Sequence, residues 1–420
     1  MMTLRVFMRG YPLVLVSFIT PQLLLQTDLI LVALLGEQAT AAYAIPMRVA
    51  MLDTVLMIAV SSVASVAVSG TSAGLARSRA ILQSLGMACV LGVGLAIAGV
   101  LFYPGLARHI VADPAIAALA SQALIWYALA TPMRFLSTAM GMILHVLGEG
   151  RFVVWGKGAE VVLNALLNLL FIFTLSQGFV GSFQATLLVL TFATAWSLNR
   201  LRHHLPKEQR QWDWDWPGLL LFGKQCAWEG KRVLSGQLFA LVCLLLFANS
   251  LLSASSVERM EAFSAGMALA FLLFRPFLSL MRFLSFRLAQ LPPQSDAVPL
   301  QRLRTLGLRL TLGLAVLLLL TGAWLGEHLY GVSGRWWNAS VSMVACSLPL
   351  TFLNALFRGR LQARQRFAQV MAVDALSTWS LGLPLVVAGL YWQSPWLTFS
   401  HIPLCELFAL LLLQRRMPAA

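Results

Sequence analysis

The chain has 420 residues, of which 59% are hydrophobic and only 11% charged. A soluble protein carries about 25% charged residues to build its polar skin, so the composition argues against a globular enzyme and fits a polytopic membrane protein. The formal charge of +14 points to membrane topology rather than nucleic acid, because Lys and Arg fall in short clusters between apolar segments and no basic domain is left to carry a groove.

Arg5 and Arg9 precede an apolar run that continues far past a short signal-peptide core, so the first segment is expected to be a retained transmembrane helix. About 20 apolar residues cross the hydrocarbon. With that ruler the first half holds six candidates, near 11–35, 40–69, 80–104, 116–146, 152–176 and 180–199. A polar stretch over 200–217 follows, and six more candidates run near 219–252, 260–288, 303–326, 337–359, 367–391 and 395–414. The expected organisation is an N-terminal six-helix lobe (1–199), a cytoplasmic linker (200–217) and a C-terminal six-helix lobe (218–420). Internal similarity is slight: Gly148-Glu149-Gly150-Arg151 before the fifth helix loosely mirrors Arg358-Gly359-Arg360 before the eleventh.

Strict alternation with the N-terminus inside puts Arg77, Arg79, Arg151, the 200–210 cluster, Arg287, Arg302, Arg304, Arg358, Arg360, Arg364, Arg366, Arg415 and Arg416 in cytoplasmic connections. Only Arg108, Arg259 and Arg335 fall outside. That asymmetry predicts both termini in the cytoplasm and a cell (inner) membrane location.

Polar residues at membrane depth come next. Asp28 lies in the first segment, where a charge costs at least roughly 2.5–3.5 kcal/mol at a helix centre and so marks a functional site. In the fifth segment Glu160, Asn164 and Asn168 recur every four residues and share one face, with Lys157 one turn before Glu160 as a candidate partner. Interhelical hydrogen bonding is the ordinary use of such asparagines. At a rise of about 1.5 Å per residue, Asp28, Asn168 and Thr186 of the sixth segment lie about 10, 12 and 9 Å from the outer face. Oxygen ligands of this kind suit a hard cation such as Na⁺, and a desolvated carboxylate suits a proton. Arg48 and Asp53 are five apart, a poor spacing for a helical pair. Arg134, Arg275 and Arg282 lie inside apolar runs, where snorkelling or ion pairing is their ordinary role. Lys224, Glu229, Lys231 and Arg232 are expected at the membrane-surface start of the seventh helix, while Asp374 and Glu406 are acidic residues at depth, Asp374 being the better second protonation candidate. The substrate-cavity candidates are Gln26, Arg48, Glu160, Gln237, Arg275 and Asp374. No HExxH, Walker A or GxSxG pattern is present, and the five cysteines show no CxxC spacing, so neither catalysis nor a metal or disulfide framework is expected.

These residues resemble the multidrug and toxic compound extrusion (MATE) family. The likeness runs through Pro21, Gln26-Thr27-Asp28-Leu29 to Gly36, Ala41-Ala42-Tyr43-Ala44-Ile45-Pro46, Ala130-Thr131-Pro132 and Leu147-Gly148-Glu149-Gly150-Arg151. It continues in Val162-Leu163-Asn164-Ala165-Leu166-Leu167-Asn168, Gly178-Phe179-Val180-Gly181 to Thr186, and Trp379-Ser380-Leu381-Gly382-Leu383-Pro384. The resemblance implies an all-α protein with twelve transmembrane helices in two six-helix lobes around a central cavity. It also implies an antiporter that exports a small organic compound against H⁺ or Na⁺ entry. Asp28 matches the family's coupling aspartate, Asn164 and Asn168 its helix-five polar pair, and Thr186 its helix-six hydroxyl. No cofactor is expected beyond the coupling ion, and no metal beyond Na⁺ at Asp28. The expected partners are a small-molecule substrate and the lipid bilayer, without nucleic acid, and the family-like state is a monomer. Gln237 stands near the position of a helix-seven glutamate used by one branch, and the tenth helix has no carboxylate, which places coupling in the N-terminal lobe. The alternatives are a lipid-linked or glycan flippase holding phosphates with arginines, a major-facilitator transporter, and a non-transporting scaffold or channel. The facilitator's acidic-and-arginine motif is missing from the Ser69–Arg79 loop.

Overall fold

The computed structural model describes residues 4–111, 113–205, 215–248, 257–292 and 297–415. All regular structure among them is helical, and twelve helices are long and apolar enough to cross a membrane. The first six are α1 (Leu4–Ala33), α2 (Glu37–Ser69), α3 (Leu75–Ile110), α4 (Pro114–Val146), α5 (Gly150–Leu169, extended by a π turn over Leu170–Thr174) and α6 (Gly178–Leu201). The second six are α7 (Trp216–Ala248), α8 (Val257–Ala289), α9 (Ala297–Leu325), α10 (Arg335–Ala363), α11 (Phe367–Tyr391) and α12 (Pro395–Arg415). Several helices overrun the hydropathy segments, α3 by about three turns in total, because hydropathy marks the hydrocarbon slab while backbone hydrogen bonding continues into the polar zone. Of the expected linker, 206–214 lies outside the described residues; so do 249–252 of the seventh segment and Arg416.

The described chain divides into two compact units, Pro12–Gly230 and a second made of Lys231–Ala420 with Met1–Tyr11. The division therefore falls inside α1 and α7 rather than between helices.

In the first unit α4 packs against α2, α3 and α6. Its start is set locally: Asp113 accepts hydrogen bonds from the amides of Ala115 (2.8 Å) and Ile116 (3.3 Å), and Pro114 occupies the first turn. The break between α1 and α2 uses Gly36 at φ 105°, a conformation that a side chain would strain. Small residues at α2–α4 contacts (Ala42, Ala120, Ala123) let the helices approach, and Tyr43, Tyr127, Phe179 and Phe183 fill the remaining space. Val90, Ile97, Leu101 and Phe102 of α3 stay exposed, as a lipid-facing side requires.

In the second unit α10 is the buried centre, packed on α8, α9 and α12. Trp337 is wholly buried and donates its indole N–H to the carbonyl of Gly322 on α9 at 2.9 Å. Tyr11 donates to the carbonyl of Pro276 at 2.9 Å, and with Phe7 it packs on Phe283, which fastens the first turns of the chain to this unit. Midway along α11 the helix widens to π geometry over Ser377–Gly382, a local distortion that often accompanies function.

Candidate functional site

The first unit brings three of the four expected coupling residues together. On α5, Glu160, Asn164 and Asn168 are buried along one face, as their four-residue spacing requires. That face meets α1 at Asp28, itself buried. Asn164 donates its side-chain N–H to Asp28 Oδ1 at 2.5 Å, and Asn168 donates to the same oxygen at 2.6 Å. Asp28 Oδ1 thus accepts from two amides, one for each of its lone pairs. Among the described residues no Lys, Arg or His is ion-paired with Asp28. At this site Asn168 Oδ1 and the buried hydroxyl of Tyr43 have no hydrogen-bond partner among the described residues. The Tyr43 ring is held against Phe183, with centroids 5.9 Å apart.

About two turns before Asp28 the helix carries a proline. Pro21 sits seven residues earlier inside α1 and removes the bond its N–H would have made to the Ser17 carbonyl, a weak point at which the helix can bend. Ser17 also hydrogen-bonds His145 of α4 at 3.0 Å.

The other expected residues are placed as follows. Thr186 is half-buried and donates to the Ser182 carbonyl of its own helix at 2.9 Å. Glu160 accepts from Lys157 at 2.7 Å, the pair its spacing suggested, beside a small cavity of about 50 Å³ lined also by Ser137 and Trp196. Gln26 and Arg48 are exposed, and Gln237 and Arg275 are half-buried. Asp53 belongs instead with Arg134 of α4 (3.3 Å), with Thr131 donating to it at 3.2 Å and the guanidinium stacked 4.1 Å from the Tyr127 ring.

Asp374 is found in a cluster that sequence reasoning did not assemble. It accepts from Arg358 (α10) at 2.9 Å and from Arg232 (α7) at 3.4 Å, and Arg358 reaches on to Glu406 (α12) at 3.3 Å. Arg232 is not at the membrane-surface start of its helix: α7 begins at Trp216, which carries Arg232 more than four turns inward. Glu229, expected beside it at the surface, is wholly buried. Asn354 of α10 donates to both the carboxylate and the backbone carbonyl of Glu406, the latter at 2.7 Å. The sequence places only Asp374 and Glu406 of this cluster at depth; Arg358, expected in a cytoplasmic connection, lies inside α10.

Outside the membrane spans, Glu149 joins the start of α5 to the end of α6. Arg200 donates to both its oxygens (2.8 and 2.9 Å) and His204 lies 3.1 Å away. The Arg200 hydrogen bonds, with His204 adding to them, hold the Glu149 carboxyl below its usual range.

Against known proteins, the MatE family model matches residues 12–170. No curated protein sequence matches the chain. Among solved structures, the Vibrio cholerae MATE transporter VcmN in its bent form superposes with a TM-score of 0.83 at 15% identity, covering 97% of this chain and 95% of that one. A MATE crystal structure in the straight conformation gives 0.81 at 15% identity over 97% of this chain and 93% of that one. A MOP superfamily transporter from Pyrococcus furiosus, described as having a binding pocket of reversed polarity that suggests a different function, gives 0.80 at 14% identity over 98% and 95%. The chain thus has the MATE transporter fold along nearly its whole length, carries a MatE match across α1 to α5, and is a multi-pass membrane protein.

Proposed function

We propose that this protein is a secondary active efflux transporter, an antiporter that exports a small organic compound in exchange for H⁺ or Na⁺ bound at Asp28. The observation that carries the reading is a buried carboxylate whose partners are two neutral amides and no cation. A charge so placed is costly in a membrane, and an entering cation offsets that cost only while it is bound. The site therefore has two states that differ by one charge, which is what coupling requires.

The two ions would act differently on the same residues. A proton can be accepted at Oδ2 with both amide N–H groups still on Oδ1, each bond weakened by the loss of charge. A sodium ion needs oxygen ligands, so Asn164 and Asn168 would each have to turn an oxygen inward, with the Tyr43 and Thr186 hydroxyls as further donors. In either case neutralising Asp28 loosens its hold on α5 and lets α1 repack about Pro21. Cargo is then released if it binds the un-neutralised state better, since an ion shifts an equilibrium only through differential affinity. The charge asymmetry supports an inner-membrane location with both termini cytoplasmic, and a monomer is the simplest unit. The flippase reading rests on Arg48, Arg134, Arg275 and Arg282 as phosphate holders, and it is weakened because Arg134 is already engaged by Asp53 and Arg48 is exposed.

The test is efflux from inverted vesicles with a panel of cationic dyes and anionic metabolites, energised separately with a pH gradient and a Na⁺ gradient. Gradient-driven transport is expected in the wild type and lost in Asp28→Asn, and the gradient that drives it names the ion. Unchanged ion dependence in Asp28→Asn would sink the assignment of the site.

A further inference from the structure

The second unit holds a half-open cavity of about 280 Å³. That is many times the roughly 30 Å³ share of a water molecule and close to the lower end, about 300 Å³, of small-ligand pockets. Its charged lining is the chain Arg232–Asp374–Arg358–Glu406, supplied by α7, α10, α11 and α12. The fifth helix of the lining, α8, contributes only apolar groups: Phe274, Phe277, Leu278 and Met281. The π segment of α11 begins immediately after this charged stretch, and its first two residues, Ser377 and Thr378, also line the space.

From these facts we infer that the cavity is a binding site for a small zwitterion with an apolar body, a compound bearing one carboxylate and one ammonium group. The two arginines and two carboxylates sum to zero charge. A ligand with net charge would leave an uncompensated charge in a poorly solvated space, which is strongly unfavourable. A zwitterion exchanges partner for partner: its carboxylate takes a guanidinium fork, its ammonium takes a carboxylate, and the total stays zero. The α8 side supplies the apolar surface for the rest of the molecule. Calling this ligand cargo rests on the efflux reading above; the site itself rests on its own geometry.

The experiment measures binding to the purified full-length protein in lipid nanodiscs, using three probes that share a phenyl body: L-phenylalanine (zwitterion), phenethylamine (cation) and 3-phenylpropionate (anion). The wild type is expected to prefer phenylalanine by about tenfold or more, the factor that 1.4 kcal/mol supplies. Asp374→Asn makes the cluster net positive and is expected to shift the preference to phenylpropionate. Arg232→Gln makes it net negative and is expected to shift it to phenethylamine. A steric variant guards against misfolding: Gly236 lines the cavity, and a Cβ added there meets no heavy atom within 4 Å. Gly236→Leu should fold, since leucine favours helix over glycine, and should abolish binding of all three probes.

Equal binding of the three probes, or preferences that do not follow the cluster's charge, would overturn the inference and leave the four residues as a structural ion-pair network. So would efflux of a dye that persists while phenylalanine does not bind, which removes this site but spares the antiport reading. Phenylalanine binding without gradient-driven efflux of phenylalanine or of any panel member has the opposite meaning: the site stands and the antiport reading falls.

Discussion

One carboxylate site in each unit is held in the opposite way to the other, while Asp53 and Glu160 of the first unit have Arg134 and Lys157 as ordinary ion-pair partners. In the first, Asp28 is held by Asn164 and Asn168, which supply hydrogen bonds but no charge. In the second, Asp374 and Glu406 are met by Arg232 and Arg358, so both acids have a cation already. A carboxylate solvated by amides keeps a charge that a proton or Na⁺ can cancel. A carboxylate paired with arginine has lost that appetite, and adding a cation there would repel the guanidinium. The contrast assigns the proposed coupling to the first unit and leaves the second to bind something of balanced charge. It also explains why counting acidic residues at depth is a poor guide: partner identity decides what an acid can do.

The comparison is broken most severely at Asp28. In Asp28→Asn, gradient-driven efflux is expected to fall to background in the vesicle assay. If Asp374→Asn had that effect and Asp28→Asn did not, the roles of the two units would be reversed. The next largest effect is on stability. Arg358→Gln leaves Asp374 and Glu406 without their shared partner, and removing one member of a buried pair costs about 3–5 kcal/mol. Residual solvent exposure should hold the loss near the lower figure. Thermal unfolding in detergent should show it, and adding Glu406→Gln should recover part. Asn164→Ala tests the amide cradle itself. A hydrogen bond to a charged group contributes about 1.5–3 kcal/mol, so the variant should unfold at lower temperature and transport more weakly, while Asn164→Leu should do the same without leaving a cavity.

The smallest effect is expected at Glu149, outside the membrane. Its carboxyl is held low in the folded protein by Arg200 and His204. Because the folded value lies below the unfolded one, its stabilisation is present above the ordinary carboxylate range and is lost as pH falls through the lowered value. Glu149→Gln should remove that part of the acid-limb pH dependence, with a change of about 1 kcal/mol or less at neutral pH, as for exposed ion pairs. A pH series of unfolding temperatures for the two proteins would measure it; identical acid limbs would count against the Glu149 assignment.

Much of this molecule was legible before any tertiary structure. Lys157 and Glu160 pair as their three-residue spacing implied, and Asn164 and Asn168 share the buried face of α5 as their four-residue spacing implied, because both relations are internal to one helix. Arg232 is the counter-example. Hydropathy puts the start of the seventh helix within three residues of Trp216 but reads the charges over 224–232 as its surface turns, whereas Arg232 lies more than four turns in and pairs with Asp374 of another helix. Asp53 teaches the same lesson: its neighbour in sequence, Arg48, is exposed, and its partner is Arg134, 81 positions away.

The sequence by itself determined the membrane class, the helix count and which helix faces are polar. Those properties follow from the cost of placing polar groups in hydrocarbon and from the fixed periodicity of the helix, both of which act locally along the chain. Only the tertiary structure decided which carboxylate meets an amide and which meets an arginine. Those meetings span helices as much as 142 residues apart, and side-chain packing between helices, not the pattern along any one of them, selects the partner.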